Sequence, residues 1–245
     1  MEQMREIGTI KSIYRYPVKS MGGEQLASAV LGWHGIEGDR RYAFMRTGNM
    51  SGFPWLTASR MRELITYKVF FQPNNDGKES TVCVQTPEGK EFELQSPSLR
   101  EELATKFGGD IELIRVDNGI FDDSPLSLIS TATIKMLKTE SGRTLDARRF
   151  RPNLLIETAE GGSLQEEAWV GKTLVLGSSP DAPAVRVNIH DVRCVMVNLD
   201  PDTGSSDPLV LKTIARFRNN CAGVYASIFR IGPVAVGDRV YADER

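Results

Sequence analysis

The sequence predicts a strand-rich α+β protein, and three observations carry that prediction. Short runs dense in β-branched and aromatic residues recur along its 245 residues, broken by glycine, proline and asparagine turns. Helix start and stop signals frame only a few segments, placed at connections. Helices and strands do not alternate often enough for a doubly wound parallel sheet.

The elements follow in order. Residues 7–16, IGTIKSIYRY, alternate apolar and polar side chains without a helical stripe, so they read as a strand. Pro17 disfavours helix for Tyr16. EQLASAVLGWHGIEGDRRYAFMRT reads as two strands joined by a glycine-rich turn from Gly32 to Gly38. ITYKVFFQP and STVCVQTPEGKEFEL read as a hairpin or meander, with NNDGK and PEGK as turns. In SPSLREELATKFG, Ser98 is expected to cap a helix, Glu101 to complete a capping box and Gly108 to stop it. IELIRV is a strand, and SPLSLISTATIKMLKTESG gives a second helix starting near Ser130 or Thr131. RRFRPNLLIET passes from a basic run into an apolar strand; AWVGKTLVLG and AVRVNIHDVRCVMVNLD are further strands. DPLVLKTIARFRNN is a helix with Asp207 as cap and Pro208 at its first position. VYASIFRIGPVAVGDRVYA ends the pattern with short strands. The polar, turn-rich DNGIFDDSP at 117–125 is the softest boundary, which divides the chain into 1–121 and 122–245.

Bulk composition excludes several classes of function. Apolar residues make up 40% and charged residues 25%, as in ordinary globular proteins. A net charge of −2 lacks the basic excess of a nucleic-acid binder. Three scattered cysteines, Cys83, Cys194 and Cys221, make no disulfide framework, and with only His34 and His190 they make no closed zinc site. No window approaches the ~18 apolar residues of a membrane span, and no signal peptide is apparent. The expectation is a cytoplasmic protein.

Two features could carry chemistry. Cys194 follows Arg193 directly and precedes the turn Asp200-Pro201-Asp202-Thr203-Gly204. A thiolate is a soft-metal ligand and nucleophile that a neighbouring cation favours. Strand neighbours point to opposite faces, however, so Arg193 helps Cys194 only at a strand end or bulge. Local sequence alone reads CVMV more simply as a buried stretch in which the cysteine is a small hydrophobe. His190 suggests a Cys/His pair but has no third orienting group. The second feature is basic: Lys19 and Ser20 in YPVKS, Arg40 and Arg41 in GDRRY, and Arg148, Arg149 and Arg151 in RRFRPN, beside Asn153. Lysine, hydroxyl and arginine forks suit a phosphate or another anion, although each alone reads as a solvated surface charge. The carboxylates of DPDTG read as turn chemistry. P-loop, nucleotide-binding glycine, G-x-S-x-G and H-E-x-x-H motifs are absent.

Taken together, YPVKSMGG, GIEGDRRYAFM, WLTASRMREL, SPLSLIS, RRFRPNLLIE, WVGKTLVLG, RCVMVNLDPDTG, LKTIARFR and GPVAVGDRVY resemble, in order and over nearly the whole chain, the MOSC family. The resemblance is closest to members that join an N-terminal β-barrel domain to a MOSC domain, as the mitochondrial amidoxime-reducing components do. It implies an N-terminal β-barrel-like domain packed on a β-barrel MOSC domain with peripheral helices. It implies a molybdenum cofactor, Mo-molybdopterin, with Cys194 as metal ligand. Lys19, Ser20, Arg40, Arg151, Asn153 and Arg193 match cofactor-holding positions, with Thr57 and Ser130 matching more loosely. The implied activity is an oxidoreductase that reduces N-hydroxylated or other N-oxygenated compounds, served by a separate ferredoxin-like or flavin-containing reductase. The alternative is a non-catalytic carrier of the cofactor or its sulfur. One departure stands out: the family often has a second cysteine three residues before the ligand, where this sequence has Asp191, which implies a change in the pterin contacts or in the local charge.

Overall fold

A computed structural model describes residues 4–73, 80–158 and 165–243. The NNDGK turn lies outside the described residues.

The N-terminal half contributes β1 (Met4–Arg15), β2 (Glu24–Leu26), β3 (Ser28–Gly32), β4 (Gly35–Ile36), β5 (Tyr42–Arg46), β6 (Lys68–Gln72), β7 (Thr81–Gln85), β8 (Glu91–Glu93) and β9 (Ile111–Arg115). Helix α1 (Pro97–Phe107) precedes β9. The expected pair of strands between Glu24 and Thr47 is instead four short ones, and β5 leaves that group to pair with β9. β6, β7 and β8 form the expected meander. The helix cap differs from the expectation. Ser96, in extended conformation, accepts from Leu99 N, and Pro97 rather than Ser98 opens the helix. Proline suits a first helical position because its fixed φ is already helical and it has no N–H to leave unpaired. Gly108 ends the helix in left-handed conformation, as expected.

The second half contributes β10 (Leu126–Ser130), β11 (Leu154–Thr158), β12 (Thr173–Leu176), β13 (Ala184–Val192), β14 (Cys221–Arg230), β15 (Gly232–Ala235) and β16 (Arg239–Asp243), with α2 (Thr131–Ser141) and α3 (Leu209–Arg218) outside them. Sheet order runs β11-β10-β14-β13-β12-β16-β1, and β1 pairs again with β11, which closes a seven-stranded barrel. Closure removes the sheet's free edges. The barrel therefore uses a strand from the start of the described chain. Ile10 and Ile13 of β1 enter its core beside Leu126, Leu154, Val185 and Val224.

A separate core under the meander and α1 gathers Phe44, Leu64, Tyr67, Val84 and Leu103. A third cluster seats α2 and α3 on the barrel through Ile134, Leu137, Val210 and Ile214. Two neighbouring residues tie the cores together: Val197 packs in the third cluster and Leu199 in the second. They lie in and just after the short 3-10 turn Val195–Asn198, so the segment after Cys194 is anchored by buried apolar side chains in two directions.

Candidate functional site

The strand carrying Cys194 ends sooner than its sequence suggests. β13 stops at Val192, and Cys194 is the residue before the 3-10 turn Val195–Asn198. Arg193 and Cys194 thus leave the strand's alternation. Arg193 turns inward while Cys194 stays exposed as a free thiol. That placement corrects the reading of CVMV as a buried run.

Arg193 is fixed beneath the cysteine. Its Nε donates to Ala222 O at 2.6 Å and its Nη1 to Phe150 O at 2.7 Å. Asn220, held at positive φ, donates from its side chain to Arg193 O and accepts from Arg193 N through its backbone carbonyl. Gly223 makes room: a Cβ there would lie 2.6 Å from Leu128 O and 3.0 Å from Arg193 Nη2. The Asp200–Gly204 turn is built as expected. Asp200 Oδ1 accepts from Asp202 N and Thr203 N, and Gly204 takes a φ of 68°. The turn also clamps the basic run, since Asp200 Oδ2 accepts from Arg149 Nη2 at 2.7 Å.

Cys194 and Arg193 stand on the wall of a pocket of about 270 Å³, into which five basic and three acidic side chains converge. The sequence-derived residues Lys19, Ser20, Arg40 and Arg151 line it as well. Three of them have left-handed backbones: φ is 67° at Ser20, 49° at Arg40 and 47° at Arg151. Asn219 and Asn220 are the remaining non-glycine residues at positive φ among the described residues, and Asn220 holds Arg193. Such conformations cost of order 1–3 kcal/mol each, persist only where surrounding contacts impose them, and cluster at functional sites.

Those contacts are specific. Arg40 Nη2 donates to Arg151 O at 2.8 Å and Nη1 to Asn153 Oδ1 at 3.1 Å, while Nε lies 2.6 Å from Asp122 Oδ2. Nη1 is also paired with Asp39. Arg40 and Arg151 sit over the Tyr16 ring, 5.3 and 4.3 Å from its centroid. Lys19 Nζ donates to Phe121 O at 2.8 Å. Among the described residues the Ser20 hydroxyl and the Cys194 thiol make no hydrogen bond, and Arg193 Nη2 is buried without one.

The electrostatics show how crowded the positive charge is. Burial, reinforced by the Arg40 charge, pulls Arg151 down to about 10. Burial also lowers Lys19, with Asp122 opposing and Arg151 and Arg40 assisting. For Arg40 burial acts downward too, but Asp39 and Asp122 outweigh it and the net shift is upward. Burial acts upward on Asp122, yet Arg40 and Lys19 overcome it and hold the carboxyl below its ordinary range. An anion in this pocket would favour the charged forms of Lys19 and Arg151.

Other expected residues lie elsewhere. Asn153 is fully buried behind the pocket, where its side chain accepts from Ser127 N and Arg40 and donates to Tyr14 O. Thr57 is buried with its hydroxyl 2.7 Å from Ser59 Oγ. Ser130 caps α2 through Thr133 N and bonds the buried Glu166, which Arg218 also contacts. His190 is exposed on β13 and does not line the pocket. Conversely, the pocket adds Asp122, Asp123 and Tyr225, and Asp191, already noted as the departure from the family pattern, lines it too. DNGIFDDSP signalled only a turn, and nothing local marks Tyr225.

The donor set fits a metal-bearing, phosphorylated cofactor. One exposed soft ligand stands over buried basic side chains, with the Ser20 hydroxyl free of hydrogen bonds beside them and Arg193 Nη2 ion-paired to Asp191 without a hydrogen bond. No group of three or more histidine, cysteine or carboxylate side chains able to hold a metal by themselves occurs among the described residues.

Comparison with known proteins bears on family and fold. The MOSC domain model matches residues 107–241 and the MOSC N-terminal beta barrel domain model matches residues 7–109. Mitochondrial amidoxime reducing component 2 of Rattus norvegicus is 32% identical over 133 residues, 49% of this chain and 37% of that protein. The match therefore spans little more than a third of the rat protein's length. Mitochondrial amidoxime-reducing component 1 of Homo sapiens is 23% identical over an alignment covering 97% of this chain and 84% of its own. The solved structure of the YUAD protein from Bacillus subtilis shares the fold with a TM-score of 0.54 at 13% identity, over the full length of both chains.

Proposed function

The chain belongs to the MOSC family, and on that premise we propose that it binds a molybdenum cofactor and uses it to reduce N-oxygenated compounds such as N-hydroxylated bases or amidoximes. The observation that carries the reading is the convergence on a single pocket of one exposed thiol and five basic residues, two of which, Arg40 and Arg151, are held at positive φ. The relatives' name supplies the substrate class.

When bound, the cofactor supplies oxygen-transfer chemistry at its metal. This chain's residues hold and orient it. Cys194 offers the thiolate, which a thiophilic metal prefers to harder ligands. Lys19, Ser20 and Arg151 receive the phosphate, where buried cations gain most from a counter-charge. Arg40 and Asn153 brace that wall from behind, and Arg193 supports the cysteine. Three cysteines in this chain cannot supply the usual four ligands of an iron–sulfur cluster. In this reading, as the likeness to amidoxime reducing components suggests, electrons come from a separate ferredoxin-like or flavin-containing donor.

The test is metal and pterin analysis of protein produced with ample molybdate, followed by turnover of an N-hydroxylated substrate. Molybdenum and an oxidised-pterin fluorescence signal are expected, with turnover on reduced viologen and none on NADH or NADPH alone. Absence of both metal and pterin would overturn the reading. A loaded protein without turnover would assign it to the carrier role instead.

A further inference from the structure

Asp191 has no part in holding the cofactor in the scheme above, yet it lines the same pocket. It occupies the end of β13, three residues before Cys194, and is 2% exposed. Its Oδ2 accepts from Ser127 Oγ at 3.2 Å and lies 2.7 Å from Arg193 Nη2, which is not aligned to donate to it. The charged and titratable groups that act on it come from several elements: Arg193 beside it, Arg40 and Asp122 across the pocket, and Tyr225 and Cys221 on β14.

These surroundings separate the pocket's two buried carboxyls. Burial, only partly offset by Arg193 and worsened by Asp122, pushes Asp191 up to about 6. Asp122 goes the opposite way. Tyr16 and Tyr225 are both raised by burial and stay protonated. Two carboxyls pushed apart are the usual arrangement for dividing proton-holding from charge-bearing roles. Lining the pocket three residues before Cys194, Asp191 is thus placed to take and give a proton near neutral pH.

The proposed reaction consumes protons. One hydroxylamine-type N–O bond breaks, two electrons from the donor reduce the nitrogen, and two protons are taken up: R–NH–OH + 2e⁻ + 2H⁺ gives R–NH₂ + H₂O. We propose that Asp191 is the internal acid of this reaction, delivering one proton to the oxygen that leaves as water. The second proton reaches nitrogen from solvent, and solvent reprotonates Asp191. The inference rests on the reductase reading of the pocket.

The experiment compares wild type with Asp191→Asn and Asp191→Glu as fully loaded proteins. Infrared difference spectra in D₂O should show a protonated carboxyl band that titrates near pH 6 and is missing from Asp191→Asn. With reduced viologen, the wild-type rate should fall about tenfold per pH unit above that value, since the acid is then lost. Asp191→Asn should keep wild-type molybdenum and pterin content, turn over roughly 10²–10⁴-fold more slowly and lose the alkaline limb. Asp191→Glu should recover part of the rate and the limb. A wild-type rate and pH profile in Asp191→Asn would overturn the acid alone. Loss of cofactor in proportion to rate would also overturn it and make Asp191 a positioning residue for Arg193. A loaded wild type that turns over no N-hydroxylated substrate would instead remove the reductase reading, and the acid with it.

Discussion

Replacing Gly223 by alanine tests how the floor under Cys194 is built. Gly223 takes a φ of 89°, and an added Cβ would sit 2.6 Å from Leu128 O and 3.0 Å from Arg193 Nη2. Two costs follow. An L-residue at positive φ loses roughly 1–2 kcal/mol. The methyl must also push against a backbone carbonyl of β10, whose Leu128 is paired with Val224, and such overpacking costs about 1–3 kcal/mol. Together Gly223→Ala should lose roughly 2–5 kcal/mol, a large part of the ~5–15 kcal/mol by which a domain is stable. Gly171 is the control. Its φ is 82° and nothing lies within 4 Å of where a Cβ would stand, so Gly171→Ala carries only the backbone cost of roughly 1–2 kcal/mol. Urea unfolding of both variants measures the difference. Because Arg193 must also shift, Gly223→Ala should retain less pterin than Gly171→Ala. Equal stability losses, or equal cofactor retention, would refute the packing argument.

Other expectations concern the ligand, the basic wall and a helix cap. Cys194→Ala should abolish molybdenum retention and activity while leaving the urea midpoint of the cofactor-free protein unchanged, because the thiol is exposed and makes no hydrogen bond; Cys194→Ser should be nearly as damaging to metal retention. Cys83→Ala and Cys221→Ala should leave metal content at the wild-type level. Lys19→Glu and Arg151→Glu should each weaken pterin retention after dialysis by about tenfold to a hundredfold, the equivalent of losing a charge-assisted bond of about 1.5–3 kcal/mol. Ser96→Ala should cost about 1 kcal/mol in unfolding free energy, whereas Ser98→Ala, on the exposed face of α1, should stay within about 0.5 kcal/mol.

What the sequence determined by itself was the short-range part. Turn and cap chemistry depend on a few neighbouring residues, so the Asp200–Gly204 turn, the Gly108 stop and a helix start near Ser130 were legible one by one. Strand periodicity identified β1, the β6–β8 meander and β9 for the same reason. The basic residues of the pocket were visible as residue types, and their order matched a family. Tertiary structure decided which of them meet. Arg40 reaches Asn153 and Arg151 O only because barrel closure sets β1 against β11, and the turn between β4 and β5 is bonded to Tyr16 just after β1. The same closure places Asn153 behind the pocket and leaves Ser130 spent on Glu166. A periodic pattern ran on through RCVMVN, but β13 ends at Val192 because Val197 and Leu199 are drawn into two different cores. That long-range packing competes with local strand preference and wins, which turns Cys194 outward over Arg193. Asp191 was visible as a departure from the family pattern, but its proton affinity and that of Asp122 were not, because the shift of a carboxyl's proton affinity depends on burial and on charges from distant segments.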